Sequence, residues 1–301
     1  MTRPRIEIVE VSPRDGLQNE AVRFSVAQKV ALIERAAAAG ARRIEVASFV
    51  RADRVPQMAD AEAVIAGLDL PDTVTIGLVL NMRGAERALR TTVDELGAVC
   101  VATDSFAQAN QGQTARESAD AAAAVIGLAR GEGRRAQATI GAAFGCPFEG
   151  EVSPDHVVAL AVRIAEAGPI EIGLADTIGV AVPVQVTQLI EQVRAATGVP
   201  VRVHLHNTRG TGIANAWAAV QAGAASLDAS LGGIGGCPFA PAATGNIATE
   251  DLVYMLDRSG VPTGYDLGAA VAAARWLSGE MGRALPGAVS RVGPFPPGAA
   301  M

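Results

Sequence analysis

Short runs of β-branched and apolar residues recur along the chain, and a longer stretch follows each run with apolar positions every three or four residues. Runs of the first kind have the length of buried strands, and the stretches between them have the period of amphipathic helices. The pattern predicts strands at 6–12, 43–49, 74–80, 98–103, 138–144, 170–175, 201–206 and 226–231. Helices are predicted at 26–39, 59–67, 85–96, 117–131, 154–167, 184–197 and 213–222. Gly40, Gly97, Gly168 and Gly223 close four of the helical stretches and read as left-handed C-caps.

Strand-then-helix alternation implies a parallel sheet. Eight such units over about 250 residues have the count and size of a (β/α)8 TIM barrel. A doubly wound sheet would absorb fewer strands, and no Gly-x-Gly-x-x-Gly turn follows the first one. No linker divides the chain, so a single domain over 1–301 is expected, with its catalytic core at about 6–265. The rest, 266–301, reads as a C-terminal helix and a Pro/Gly-rich tail, with 285–301 a surface extension.

Half of the 301 residues are hydrophobic, enough for a large core. The formal charge of −6 offers no basic surface to nucleic acid. Lys29 is the sole lysine, and the preference for arginine reads as genome composition rather than function. No stretch has the character of a membrane span or signal peptide. Three scattered cysteines, Cys100, Cys146 and Cys237, make no disulfide framework and fit a reducing cytoplasm. The expected partners are a small molecule and, as for many such barrels, a second copy in a homodimer.

Barrels of this type gather their chemistry at the C-terminal ends of the strands, and polar residues fall there in seven of the eight units. The first strand runs into Ser12-Pro13-Arg14-Asp15-Gly16-Leu17-Gln18; the second carries Glu45 and ends near Ser48. Asn81 and Thr103 end the third and fourth, Asp176-Thr177 ends the sixth, His204-Leu205-His206 lies on the seventh, and the eighth runs into Gly232-Gly233-Ile234-Gly235-Gly236-Cys237. Residues i and i+2 of a strand share a face, so the two histidines point together, into the barrel or out of it. With Asp15 and the side-chain oxygen of Asn246 they suit an octahedral site with open positions, hence Mg2+ or Mn2+ acting as a Lewis acid. Zinc closed by cysteines is disfavoured because no Cys-x-x-Cys exists. Arg14 either orients Asp15 as an ion pair or faces developing negative charge, and both roles are compatible. Cys237, flanked by glycines and Pro238, reads as a proton-transfer thiol on a mobile loop.

These motifs resemble those of the 3-hydroxy-3-methylglutaryl-CoA (HMG-CoA) lyase family. The likeness is carried by Ser12-Pro13-Arg14-Asp15-Gly16-Leu17-Gln18-Asn19-Glu20, by Ile44-Glu45-Val46-Ala47-Ser48-Phe49-Val50 and by Val55-Pro56-Gln57-Met58-Ala59-Asp60. Gly145-Cys146-Pro147-Phe148-Glu149-Gly150, Asp176-Thr177-Ile178-Gly179-Val180, Gly235-Gly236-Cys237-Pro238-Phe239-Ala240 and the run from Gly245 to Tyr254 extend it. The resemblance implies a TIM barrel with a divalent cation on Asp15, His204, His206 and Asn246. It further implies Arg14 at the enolate of departing acetyl-CoA, Cys237 in proton transfer, Glu45 as an essential polar residue, and Asp176 and Thr177 beside the acyl group. The implied reaction is retro-Claisen cleavage of a 3-hydroxyacyl-CoA to acetyl-CoA and a keto acid, with His204, a water or Asp176 as base.

Three positions depart from the family pattern. Asn207-Thr208-Arg209-Gly210-Thr211 stands where Asp-Thr-Tyr-Gly-Gln is usual, Ala21 where a lysine is common, and Val79-Leu80-Asn81 where Thr-Pro-Asn is. Arg209 is accordingly expected to meet a distal carboxylate or other polar group of the acyl chain, the plain alternative being a surface arginine paired with an acid. Citramalyl-CoA is an alternative substrate. A Claisen-condensing synthase of the isopropylmalate or homocitrate type shares Arg-Asp-Gly-x-Gln and His-x-His. It usually carries a different last loop and a C-terminal regulatory domain, and little chain follows Tyr265 here. A non-catalytic metal- or CoA-binding barrel would be expected to lack Arg14, Cys237 or a ligand, and none is missing.

Overall fold

A computed structural model describes residues 5–236 and 245–295. Eight parallel strands close into a barrel in sequence order: β1 Glu7–Glu10, β2 Arg43–Ser48, β3 Val74–Val79, β4 Glu95–Val101, β5 Arg135–Gly141, β6 Ile172–Asp176, β7 Val201–Leu205 and β8 Ser226–Ala229. The helices are α1 Val26–Ala38, α2 Ala61–Ala66, α3 Met82–Leu89, α4 Asp104–Gln111, α5 Ala115–Gly131, α6 Pro154–Ala165, α7 Pro183–Thr197 and α8 Gly212–Gln221, then α9 Thr249–Arg258, α10 Leu267–Met281 and α11 Ala288–Val292. All eight predicted strands and all seven predicted helices are present; α4, α9 and α11 were not foreseen.

Local chemistry sets the helix starts. Ser25 and Gln28 exchange side-chain and backbone hydrogen bonds across the first turn of α1, as Thr114 and Glu117 do on α5. The main core lies between the sheet and the helices, where α1 contributes Leu32, Ile33 and Ala36 without exposed surface. Burying a Leu or Ile side chain contributes about 2 kcal/mol.

Two expectations fail at β4. The helix predicted to Leu96 stops at Leu89, and Glu95 begins the strand. Gly97 is not a C-cap. It lies mid-strand, facing the barrel interior, where a Cβ would sit 3.0 Å from Gln137 Nε2, so its missing side chain makes room for a polar neighbour. Gly40, Gly168 and Gly223 do have positive φ. The start of the tail is also packed, not extended: Leu285 is buried and Asp251 accepts the Ala288 and Val289 N–H groups that begin α11.

The interior is unusually polar for such a barrel. It holds a small apolar cluster of Val9, Val11 and Ile76, and buried polar side chains that include Arg43, Glu45, Glu95, Gln137, Arg202 and Asp228. Among the described residues, no helix is long and apolar enough to cross a membrane.

Candidate active site

The mouth of the barrel is assembled by backbone devices at the strand ends. After β1 the chain makes a π-helical turn, Ser12–Gly16, which carries Arg14 and Asp15 over the opening; such turns frequently mark functional positions. Glu45 shares the inward face of β2 with Arg43, and just past it the pairing of β2 with β3 shifts register before Ala47, re-aiming the end of the strand. Asn246 arrives by strand extension: Asn207 N–H donates to Gly245 O (2.9 Å) and Ile247 N–H to Leu205 O (3.1 Å), setting Asn246 beside His206. Gly235 and Gly245 let the backbones cross behind it. Both have positive φ, and a Cβ on Gly245 would lie 2.0 Å from Gly235 O.

His204 and His206 point into the barrel, which settles which face they share. One oxygen or nitrogen from each of Asp15, His204 and His206 lies within 4.8 Å of the others. His204 Nε2 is 3.1 Å from His206 Nε2 and 4.0 Å from Asp15 Oδ2. Asn246 donates its amide to Asp15 Oδ2 (2.8 Å) and to Ile234 O (3.0 Å), which leaves its Oδ1 buried without a partner among the described residues. A buried acceptor with no donor is costly, and two imidazole nitrogens this close need a cation or a proton between them. Hard and borderline donors of this kind fit a metal ion.

Arg14 is anchored by two carboxylates. Its Nε donates to Glu45 Oε2 (2.6 Å), Nη2 pairs with the same oxygen, and Nη1 donates to Asp15 Oδ1 (2.7 Å). That leaves one N–H on each terminal nitrogen for a ligand. Burial alone would raise the Asp15 pKa, but the charges of Arg14, His204 and His206 and the Asn246 amide hold it well below the carboxylate range. Burial raises the Glu45 carboxyl, and Arg14 only partly offsets this. His206 is pushed down to about 3 by burial and by His204, so it is a neutral lone-pair donor.

The other predicted residues are in different states. Asp176 is buried, and its two oxygens accept Val180 N–H (2.9 Å) and Ala181 N–H (3.1 Å); burial raises its pKa. Thr177 Oγ1 accepts Ala142 N–H (2.9 Å), Thr103 Oγ1 contacts Cys146 Sγ (3.0 Å), and Ser48 Oγ is buried without a partner. Gln18 is half-buried just past the π-helical turn. Asn81 is exposed and its Oδ1 caps α3 through Gly84 N–H, so that oxygen is committed to the fold. Arg209 is exposed but, among the described residues, forms no ion pair: its Nη1 donates to Ile178 O (2.9 Å) and Gly179 O (3.0 Å), tying the β7–α8 loop to the β6–α7 loop. Cys237 lies outside the described residues. The third histidine, His156, bonds Ala102 O from α6 and takes no part.

Sequence reasoning missed Asp228 and Arg202. Asp228 Oδ2 is 3.0 Å from His204 Nδ1, and Arg202 Nε approaches Asp228 Oδ1 at 3.5 Å. Arg202 stands two residues before His204, so the same alternation that paired the histidines also placed this arginine on their face.

Fold and site together define a (β/α)8 barrel with an Asp-His-His cluster and an anchored arginine at its catalytic end, and its named relatives make the chain a lyase. The HMGL-like family pattern matches residues 5–277, and the chain belongs to that family. It is 47% identical to the (R)-citramalyl-CoA lyase of Chloroflexus aurantiacus, over 97% of this chain and 96% of that one. With the hydroxymethylglutaryl-CoA lyase YngG of Bacillus subtilis it shares 37% identity, over 94% and 95%. The structure of an HMG-CoA lyase from Acinetobacter baumannii in complex with coenzyme A and 3-methylmalate matches with a TM-score of 0.93 at 37% identity, covering 99% of this chain and 98% of that one.

Proposed function

We infer that the chain is a divalent-metal-dependent, cytoplasmic lyase that cleaves 3-hydroxy-3-methylglutaryl-CoA or a close 3-hydroxyacyl-CoA to acetyl-CoA and a keto acid. The observation that carries this reading is the convergence of Asp15, His204, His206 and the unpartnered Asn246 Oδ1 beside Arg14. Mg2+ or Mn2+ on those four residues would polarise the substrate oxygens as a Lewis acid.

Asp176, whose buried carboxyl has a raised pKa and keeps a second lone pair on each oxygen, receives the proton of the 3-hydroxyl. As C3 becomes a carbonyl the C2–C3 bond breaks, and its electron pair passes into the thioester enolate. Arg14 presents its two free N–H groups to that enolate oxygen, held in place by Glu45. Cys237 then supplies the proton that converts the enolate carbon to the methyl of acetyl-CoA. Gln18, Ser48, Asn81, Thr103 and Thr177 ring the acyl and CoA path, and Arg209 meets the distal carboxylate.

Citramalyl-CoA is the second reading, favoured by the 47% identity to a citramalyl-CoA lyase. Its carboxylate sits one methylene nearer the hydroxyl carbon, and its keto-acid product is pyruvate instead of acetoacetate. Acetyl-CoA release from both thioesters, with Mg2+ or Mn2+ and with EDTA, separates the cases. Metal-dependent cleavage of either one sustains the lyase reading and the keto acid names the substrate. Metal bound with no cleavage of any 3-hydroxyacyl-CoA would sink it.

A further inference from the structure

Below the Asp15–His204–His206 cluster a column of ion pairs runs down the barrel axis. Asp228 on β8 stands between two residues of β7, with Oδ2 3.0 Å from His204 Nδ1 and Oδ1 3.5 Å from Arg202 Nε. Arg202 is held in turn by Gln137 Oε1 (3.0 Å) and Thr139 Oγ1 (2.8 Å) on β5, and lies 3.6 Å from Glu171 Oε1. Arg202, Asp228 and Glu171 are all buried.

A carboxylate only accepts, so Asp228 requires a proton on His204 Nδ1 and turns Nε2 toward His206 and Asp15. Stability does not account for the column: replacing buried ion pairs with apolar residues of similar volume is often neutral or stabilising, and Val, Ile and Leu ordinarily fill this space in such barrels. We propose that Asp228, braced by Arg202, is a positioning residue that orients His204 and fixes which of its nitrogens faces the metal. The proposal rests on the metal reading above for its consequence, though not for the imidazole orientation itself.

Mn2+ affinity of the full chain, measured by titration calorimetry or EPR, tests it with Asp228→Asn and Arg202→Lys. Asp228→Asn keeps the shape but offers an amide that can donate as well as accept, and it removes the charge; Mn2+ binding should weaken ten- to hundredfold. Arg202→Lys keeps the charge without the fork that spans Gln137, Thr139 and Asp228, and should weaken binding less than Asp228→Asn does. In the unsubstituted protein labelled with 15N-histidine, His204 should show a downfield Nδ1-bound proton. Absence of that resonance overturns the proposal even if no variant folds. So does a folded Asp228→Asn protein that binds Mn2+ within twofold of the parent. A parent that binds no Mn2+ would sink the metal reading instead, and the Nδ1 proton would still decide whether Asp228 orients His204.

Discussion

Glu250, in the first turn of α9, offers a quantitative check on the region beside the site. Its side chain is fully buried: Oε2 accepts Gly232 N–H at 3.0 Å, Oε1 meets no hydrogen-bond geometry among the described residues, and a Cβ on Gly287 would lie 2.1 Å from Oε1. Burial, with Asp251 nearby, pushes its pKa from 4.5 up to about 7. The folded chain therefore holds this proton more tightly than the unfolded chain does. Stability from the proton is fully present below pH 4.5 and is lost as pH rises through 7. At 1.36 kcal/mol for each tenfold difference in proton affinity, the whole effect is about 3 kcal/mol.

Glu250→Gln keeps the acceptor for Gly232 and places an amide where the protonated oxygen lies, so it removes the titration with little change of shape. Urea unfolding of both proteins by far-ultraviolet circular dichroism from pH 5 to pH 8 reads out the difference. The glutamine variant should gain on the parent by about 2–3 kcal/mol across that interval. Parallel stability curves over the range, or a glutamine variant that loses ground toward pH 8, would refute the reasoning.

Arg14→Met should lower kcat by roughly two to three orders of magnitude, because it removes the cation that faces the enolate. Steady-state kinetics with the better thioester decide it, and a loss of less than threefold would exclude Arg14 from the chemistry. Arg209→Met should raise KM about tenfold or more while changing kcat less, since a guanidinium–carboxylate pair contributes about 1.5–3 kcal/mol. Unchanged kinetics with the best substrate would leave Arg209 as only the tie between the two loops seen through Ile178 O and Gly179 O.

The strands and the placement of Asp15, His204 and His206 were legible because both depend on short-range rules. Period-two alternation gives a shared face, and closure of a barrel brings strand ends together whatever the loops do. Glu95 shows where such rules stop. Read locally, a glutamate after Asp94 looks like the exposed end of a helix. In the fold it is fully buried on β4 because Arg43, from β2, pairs with it. That partner lies 52 residues earlier, and no local signal joins the two. Asp228 is an intermediate case: a lone charge in the run Ser226-Leu227-Asp228-Ala229 marks an inward position, but only the structure shows that His204 is its neighbour.

The same column explains how the site can be both buried and charged. Linked by ion pairs, Arg14, Arg43 and Arg202 face Asp15, Glu45, Glu95, Glu171 and Asp228. His204, beside both Asp228 and Asp15, joins the two ends of that network, and burial raises the pKa of Glu45 and Glu95 within it. At the rim, Arg43 also pairs with half-exposed Glu7, and Glu95 with exposed Arg135. Carboxylates outnumber arginines in this network, and a buried charge left unpaired is destabilising, so its Asp15 end favours a further cation. A divalent cation at Asp15, His204, His206 and Asn246 would close it, which ties the polar interior of the barrel to the metal site at its mouth.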